Sequence, residues 1–206
     1  MPIDEQIQEA INRIRREKEL MAQAEEAVQR AREGVNSGVF QREDLAIEFA
    51  ERSLIEEKLL MRMPVDFAVM DPDLAALKYP SEHRPGLIFS DESGSLSLAF
   101  NHTQNILTND KVPEFKEFLV QNLKRLQSGS RFLADGVFDC NGQTVGFVEF
   151  ISPAIDGEIY NLACVTPLEG RALLINFNCL EEDMELWQPL ARAMVETMRP
   201  VPVVAS

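Results

Sequence analysis

The hydrophobic positions of the chain follow two different periods. From Ile3 to Glu33 the pattern is helical. Ile7, Ile14, Met21 and Val28 recur every seven residues, and Ile3, Ala10, Ala24 and Ala31 hold the companion positions, with Glu17 breaking that row. The small alanines permit a close helix neighbour. Pro2 and Asp4 suit a helix start, and Gly34 with Asn36-Ser37-Gly38 predicts its end. The pattern predicts a second, shorter helix over Gln41 to Glu57, with Leu45, Phe49 and either Leu54 or Ile55 on its apolar side. Two helices joined by a short Gly-containing turn form a helical hairpin. The alternatives are an intermolecular coiled coil or a single helix packed on its own domain. Ile7, Ile14, Met21 and Val28 are therefore the candidate self-association stripe, with a homodimer through the N-terminal helices as the expected use.

From Lys58 onward strands alternate with helices. Lys58 to Met63 reads as a strand ended by Pro64, and Asp71-Pro72-Asp73 starts a short helical turn. Leu87 to Ser90 and Leu96 to Asn101 are short strands around the turn Asp91-Glu92-Ser93-Gly94. Val112 to Gln127 is a helix, capped by Asn109 or Asp110, with Phe115, Phe118, Leu119, Leu123 and Leu126 on one face. Four strands then form a meander: Phe132 to Cys140, Gln143 to Ile151, Ile159 to Thr166 and Arg171 to Cys179. Their turns are Asn141-Gly142, Asp156-Gly157 and Glu169-Gly170, the first being the strongest hairpin signal in the chain. Apolar residues point to both faces of these strands, which predicts a sheet covered on both sides. The last helix, about Glu182 to Met198, buries Met184, Trp187, Leu190, Ala191, Met194 and Met198, with Pro189 predicting a kink or a late helix start. The expected organisation is an N-terminal helical, coiled-coil-like extension over 1–56 and an α+β sandwich domain over 57–206. The sandwich is expected to fold without the extension.

Composition narrows the chemistry. The chain has 206 residues, and its 34 acids against 20 bases give a formal net charge of −14, which opposes general binding to nucleic acid or an anionic membrane. No apolar run is long enough to span a bilayer, and the charged start is unlike a signal peptide. The 3 cysteines, Cys140, Cys164 and Cys179, with no C-x-x-C spacing, predict reduced thiols in the cytoplasm. Each reads as a small buried hydrophobe; only Cys179, just before the last helix, could meet the conditions for a reactive thiol. The histidines, His83 and His102, lack companions at metal-ligand spacing. G-x-S-x-G, P-loop and G-x-G-x-x-G signatures are missing. No catalytic residue, metal ligand or cofactor is assigned. The acidic runs Glu25-Glu26 and Glu181-Glu182-Asp183 read as solvated helix surface and helix N-terminal charge. Glu149, Asn161, Asn176 and Asn178 are polar positions inside apolar strands. They are the candidate partner-binding patch, or else they satisfy backbone groups.

The order strands, helix, four-strand meander, helix, together with several short strings, resembles the DcrB-like branch of the Mog/PsbP-like fold group. The strings are Gly146-Phe147-Val148-Glu149-Phe150-Ile151-Ser152-Pro153, Ile159-Tyr160-Asn161-Leu162, Leu174-Ile175-Asn176-Phe177-Asn178-Cys179 and Trp187-Gln188-Pro189-Leu190. Tyr79-Pro80 and Leu98-Ala99-Phe100-Asn101 fit the first half, so the resemblance spans about Glu57 to Val201. It implies a three-layer sandwich, an antiparallel sheet between helices. It also implies a binding or accessory role, as in photosystem extrinsic subunits, a GTPase-binding nuclear factor, bacterial envelope lipoproteins and the EagR adaptors of type VI secretion effectors. It carries no shared catalytic residues. Two departures stand out: the N-terminal helical extension, and the lack of the lipoproteins' signal peptide and lipid-attachment cysteine. The resulting expectation is a non-enzymatic cytoplasmic protein-binding or adaptor protein. One alternative is an EagR-type chaperone that shields apolar helices of a secretion effector. Another is an enzyme with a site near Glu149, Asn161 and Asn178.

Overall fold

The computed structural model describes residues 3–79, 84–155 and 157–201, with side chains described for residues 8, 9 and 11 onward within those segments. The expectations placed on Pro2, Pro80, His83 and Asp156, and on the side chains of Ile3, Asp4, Ile7 and Ala10, lie outside the described residues.

Helix α1 (Ile3–Ser37) leads into strands β1 (Val39–Arg42), β2 (Leu45–Leu54) and β3 (Leu59–Pro64). Strand β4 (Ala68–Val69), helix α2 (Pro72–Lys78), strands β5 (Leu87–Ser90) and β6 (Ser97–Ile106) and helix α3 (Val112–Leu126) follow. The meander is β7 (Arg131–Cys140), β8 (Gln143–Ala154), β9 (Gly157–Leu168) and β10 (Arg171–Leu180). Helix α4 (Met184–Glu196) and strand β11 (Arg199–Pro200) close the described chain. A 7-stranded antiparallel sheet has the order β4-β5-β6-β10-β9-β8-β7, and a 4-stranded sheet has the order β1-β2-β3-β11.

The meander follows the turn chemistry in the sequence. Asn141 (φ 52°) and Gly142 (φ 79°) both take the left-handed conformation that a tight two-residue hairpin needs, as do Glu169 and Gly170. Along β10, Leu173, Ile175, Phe177 and Cys179 join the main core beneath α4, while Ala172 and Leu174 pack with Val112 and Phe115 of α3. The sheet is therefore covered on both faces, with α2 and α3 on one side and α4 and the small sheet on the other. Trp187 of α4 is buried between Phe67 and Phe177, with ring centroids 6.1 and 5.8 Å away. α4 continues through Pro189 rather than starting after it.

Three expectations need correction. The segment Gln41 to Glu57 is not a helix. It belongs to the β1–β2 hairpin and the β2–β3 turn, so no helical hairpin forms. The spacing of four between Leu45 and Phe49 fits either period, and the strand is decided by pairing, with Phe49 opposite Pro64 and Leu54 opposite Leu59. α1 does end where Asn36-Ser37-Gly38 predicts, at Ser37 with Gly38 at φ 97°, and Gly34 lies in its last turn, where a Cβ would fall 2.7 Å from Cβ of Phe40. The apolar face of α3 is also rotated: Phe118 and Leu126 are exposed, and Val112, Lys116 and Val120 are buried instead. Neither Asn109 nor Asp110 caps this helix; Lys111 holds the N-cap position after a single 3-10 turn.

α1 is 35 residues long, about 50 Å at 1.5 Å per residue. Only its C-terminal part joins the body. Ala31 and Val35 are fully buried with Met194 and Val195 of α4 in one core cluster, together with Phe40, Phe49 and Leu54 of the small sheet. Arg32 makes paired hydrogen bonds of 2.6 Å to Glu196, tying the two helices at their edge. Residues 11–26 are exposed throughout.

The division at residues 56 and 57 falls inside the turn that joins two paired strands, β2 and β3. A fragment beginning at Glu57 loses Ala31, Val35, Phe40, Phe49 and Leu54 from the core. At about 1.5–3 kcal/mol for each large apolar side chain, that loss rivals the whole stability of a typical domain. Circular dichroism melts are expected to show no cooperative transition for this fragment. A fragment beginning at Ala22, which among the described side chains removes only exposed ones, is expected to stay within about 1 kcal/mol of the full chain.

Candidate protein-docking cleft

The four polar strand residues do not converge. Glu149 is opposite Leu162 in the sheet register, on the face covered by α4, and its side chain is 0% exposed. Its carboxylate accepts hydrogen bonds from Tyr160 Oη at 2.9 Å, from Gln188 Nε2 at 3.0 Å and from Arg192 Nη2 at 2.6 Å, with Arg192 Nε completing a two-point pair. The Arg192 guanidinium also sits over the Phe147 ring, 5.2 Å from its centroid. The hydrogen bonds that Arg192 donates to Glu149 raise the Arg192 pKa, and burial first, then the Glu149 charge, pushes the Tyr160 phenol up. Every acceptor direction of Glu149 is thus turned toward α4 or β9.

Asn161 and Asn178 are directly opposite one another on β9 and β10, on the other face, with Asn176 beside them. Asn161 Nδ2 donates to Ser152 Oγ and to the Ile159 carbonyl, both at 3.0 Å. Asn178 Oδ1 accepts from Ser97 Oγ at 2.6 Å, and its Nδ2 donates to Tyr79 Oη at 3.4 Å. Lys78 Nζ donates to the Gly94 carbonyl at 2.8 Å and to Ser97 Oγ at 3.3 Å, and burial lowers its pKa. These bonds hold the end of α2 to the sheet. Asn176 is half-buried. The sheet thickness separates Glu149 from all three asparagines.

The cysteines are buried and free, and burial raises all three thiols, Cys140 to about 11 and Cys179 to about 12. Cys179 is therefore not poised as a thiolate. His102 Nε2 lies 2.9 Å from the Leu168 carbonyl. Among the described residues no cluster of three His, Cys, Asp or Glu side chains is placed to hold a metal ion, and no helix is long and apolar enough to cross a membrane.

An open cleft of about 950 Å³ lies between α1 and the first turns of α4. α1 contributes Leu20, Ala24, Ala27 and Val28, Phe40 of β1 forms part of the floor, and α4 contributes Met184, Leu186 and Pro189. Charged groups line its edges: Arg30 and Arg42 on one side, Glu181, Glu182 and Glu185 on the other, with Arg42 Nη2 bonded to Glu185 Oε1 at 2.8 Å. Of the predicted self-association stripe, Val28 is half-buried at the cleft, Ile14 is 49% exposed and Met21 is 64% exposed. The sequence held one signal for this site. Val35 continues the seven-residue row of Ile14, Met21 and Val28, so one stripe runs from the core out onto bare helix. The contribution of α4 had no such signal, because its acidic start reads as ordinary helix N-terminal charge.

No protein-family model matches the chain, and no curated protein is significantly similar to it in sequence. Its fold is similar to the solution structure of the cyanobacterial PsbP protein, CyanoP, from Synechocystis sp. PCC 6803. The match has 14% identity, covers 74% of this chain and 92% of that chain, and has a TM-score of 0.55. Weaker superpositions are found with LpqN, involved in cell envelope biogenesis of Mycobacterium tuberculosis (12% identity, 78% and 94% coverage, TM-score 0.46), and with the type VI secretion immunity protein TplEi of Pseudomonas aeruginosa in complex with a peptide (11% identity, 77% and 72% coverage, TM-score 0.40). The chain has a PsbP-like α+β fold carrying an N-terminal helix.

The buried Glu149 makes Arg192 a stability residue. Arg192→Ala leaves a fully buried carboxylate without its cation and is expected to cost about 3 kcal/mol, the lower end for breaking a buried pair because the guanidinium is partly solvated. Gln188→Ala, which removes one hydrogen bond, is expected to cost about 1 kcal/mol. Urea unfolding of the two variants measures the difference.

Proposed function

We propose that this chain is a non-enzymatic, cytoplasmic protein-binding or adaptor protein of the DcrB-like branch, and that it docks a partner's amphipathic helix in the cleft between α1 and α4. The observation that carries this reading is the apolar side of α1, which is buried at Ala31 and Val35, half-buried at Val28 and uncovered along the cleft at Leu20 and Ala24. An isolated helix with one apolar stripe is marginal in water and gains from a cover. A helix about 11 Å across with a 5.4 Å pitch occupies roughly 500 Å³ per turn, so the cleft takes about two turns.

The charged edges favour an amphipathic occupant over the fully apolar one that an EagR-type chaperone would shield. A membrane-type helix would bury Arg30, Arg42, Glu182 and Glu185 against hydrocarbon, at a cost for each unpaired charge. The separation of Glu149 from Asn161 and Asn178, and the engagement of Glu149 by three donors, weigh against an enzyme site among them.

Selection from a displayed library of helical peptides tests the reading. Peptides with an apolar stripe flanked by charges are expected to be enriched. Leu20→Asp, at an exposed cleft position, is expected to weaken the selected peptides by at least about tenfold without changing the melting temperature, since one buried Leu is worth about 1.5–3 kcal/mol. A library that yields no binders, or binders indifferent to this substitution, contradicts the cleft as the docking site.

A further inference from the structure

The chemistry of the cleft's occupant can be read from helix periodicity and charge, and this step rests on the docking reading above. The cleft side of α1 is drawn by Leu20, Gln23, Ala27 and Arg30, successive steps of three and four residues. Continued toward the N-terminus, the same steps reach Arg16 and Arg13, which lie beyond the cleft on exposed helix. Among the described residues, Arg13, Arg15, Arg16 and Lys18 form no ion pair within the chain. The opposite wall of the cleft is the start of α4, where Glu181, Glu182 and Glu185 stand together. Glu181 is paired with Arg131 and Glu185 with Arg42, while Glu182 forms no ion pair among the described residues and Glu158 adds a further acid beside Glu181.

We propose that the cleft is filled by α1 of a second copy of this chain, running antiparallel to the first, with Arg13 and Arg16 of each copy facing Glu182 and Glu185 of the other. An antiparallel crossing centred near Glu19 and Leu20 brings residues 8–18 of one helix alongside residues 20–30 of the other. Ile11 and Ile14, 45% and 49% exposed in the single chain, then come level with Val28 and Ala24 of the other copy. The two-fold axis makes the arrangement close on itself, because each copy supplies one basic segment and one acidic wall. A parallel pairing is disfavoured on two counts. It sets Glu17 against its own copy in the seam and brings Arg13 beside Lys18. The net charge of −14 is a property of the whole surface, and the local complementarity of these segments is what selects orientation.

Sedimentation of the full chain at tens of micromolar and physiological ionic strength tests the proposal, with a dimer as the expected result. Arg13→Glu with Arg16→Glu should weaken the dimer by at least about tenfold, and Glu182→Lys with Glu185→Lys should do the same, since each pair of changes replaces attraction with like charge at both ends of the interface. All four substitutions together restore complementary charge and should return the dimer to within about threefold of wild type. All these positions are exposed helix surface, so the folded body serves as the control. A monomeric wild type, or four substitutions that fail to restore association, overturns the second copy as occupant. The docking reading is judged separately by the peptide selection. A monomer that still takes selected peptides through Leu20 keeps the cleft and loses only this partner.

Discussion

Both faces of the seven-stranded sheet are apolar, and the architecture is a response to that constraint. Along β10 the residues alternate between two cores, Ile175 and Phe177 toward α4 and Leu174 toward α3, so neither face can be left to water. One helix is too narrow to cover a sheet of this width. On the α4 face the shortfall is filled by the small sheet, whose Phe49, Leu54, Met61 and Met63 enter the same core as Trp187 and Phe177. α4 is then covered on its sheet side but bare on the other, and the last turns of α1 close it with Ala31 and Val35. Gly34 lets the helix approach Phe40 closely enough to do so. The Glu149–Arg192 pair crosses this layer from sheet to helix, fixing the rotation of α4 where apolar packing alone is less directional.

The cleft follows from a mismatch of length. The body needs only the final turns of α1, yet the helix runs for 35 residues with the same apolar repeat. Where the two helices diverge, apolar side chains from both remain partly open, and charged residues from α1, β1 and α4 frame them. Such a surface has the pattern of a helix-docking site, an apolar seam between polar rims. The three thiols are shifted away from ionisation by burial, and the fully buried Glu149 carboxylate is committed to Tyr160, Gln188 and Arg192.

The meander and α4 were legible because their signals are local. Asn141-Gly142 and Glu169-Gly170 carry the left-handed conformations their hairpins need, and Met184, Trp187, Leu190 and Met194 repeat at helical spacing. The segment after α1 was not legible. Ala46, Glu48, Ala50, Glu51 and Arg52 favour a helix, and only the pairing of β2 with β3, a tertiary event, overrides them. The polar strand residues show a related limit. Alternation assigns Glu149 and Asn161 to faces only once the register is known, and that register places Glu149 opposite Leu162 and Asn161 opposite Phe150, on opposite sides of the sheet. The stripe on α1 was visible as a repeat, but its burial at Val35 and exposure at Met21 depend on where α4 lies.

The central claim is that α1 of one copy crosses α1 of another in the cleft, antiparallel, near Glu19. Pulsed electron paramagnetic resonance measures this geometry, with one spin label per chain at Glu19→Cys or at Gln29→Cys; the native thiols are buried and do not compete. The antiparallel crossing predicts a short distance between labels at position 19, on the order of the 10 Å between packed helix axes plus the label arms. At position 29 it predicts about 30 Å along the helix axis, ten residues from the crossing on each side at 1.5 Å per residue. Equal short distances at both positions, the signature of parallel helices, or no dipolar coupling at either, would contradict it.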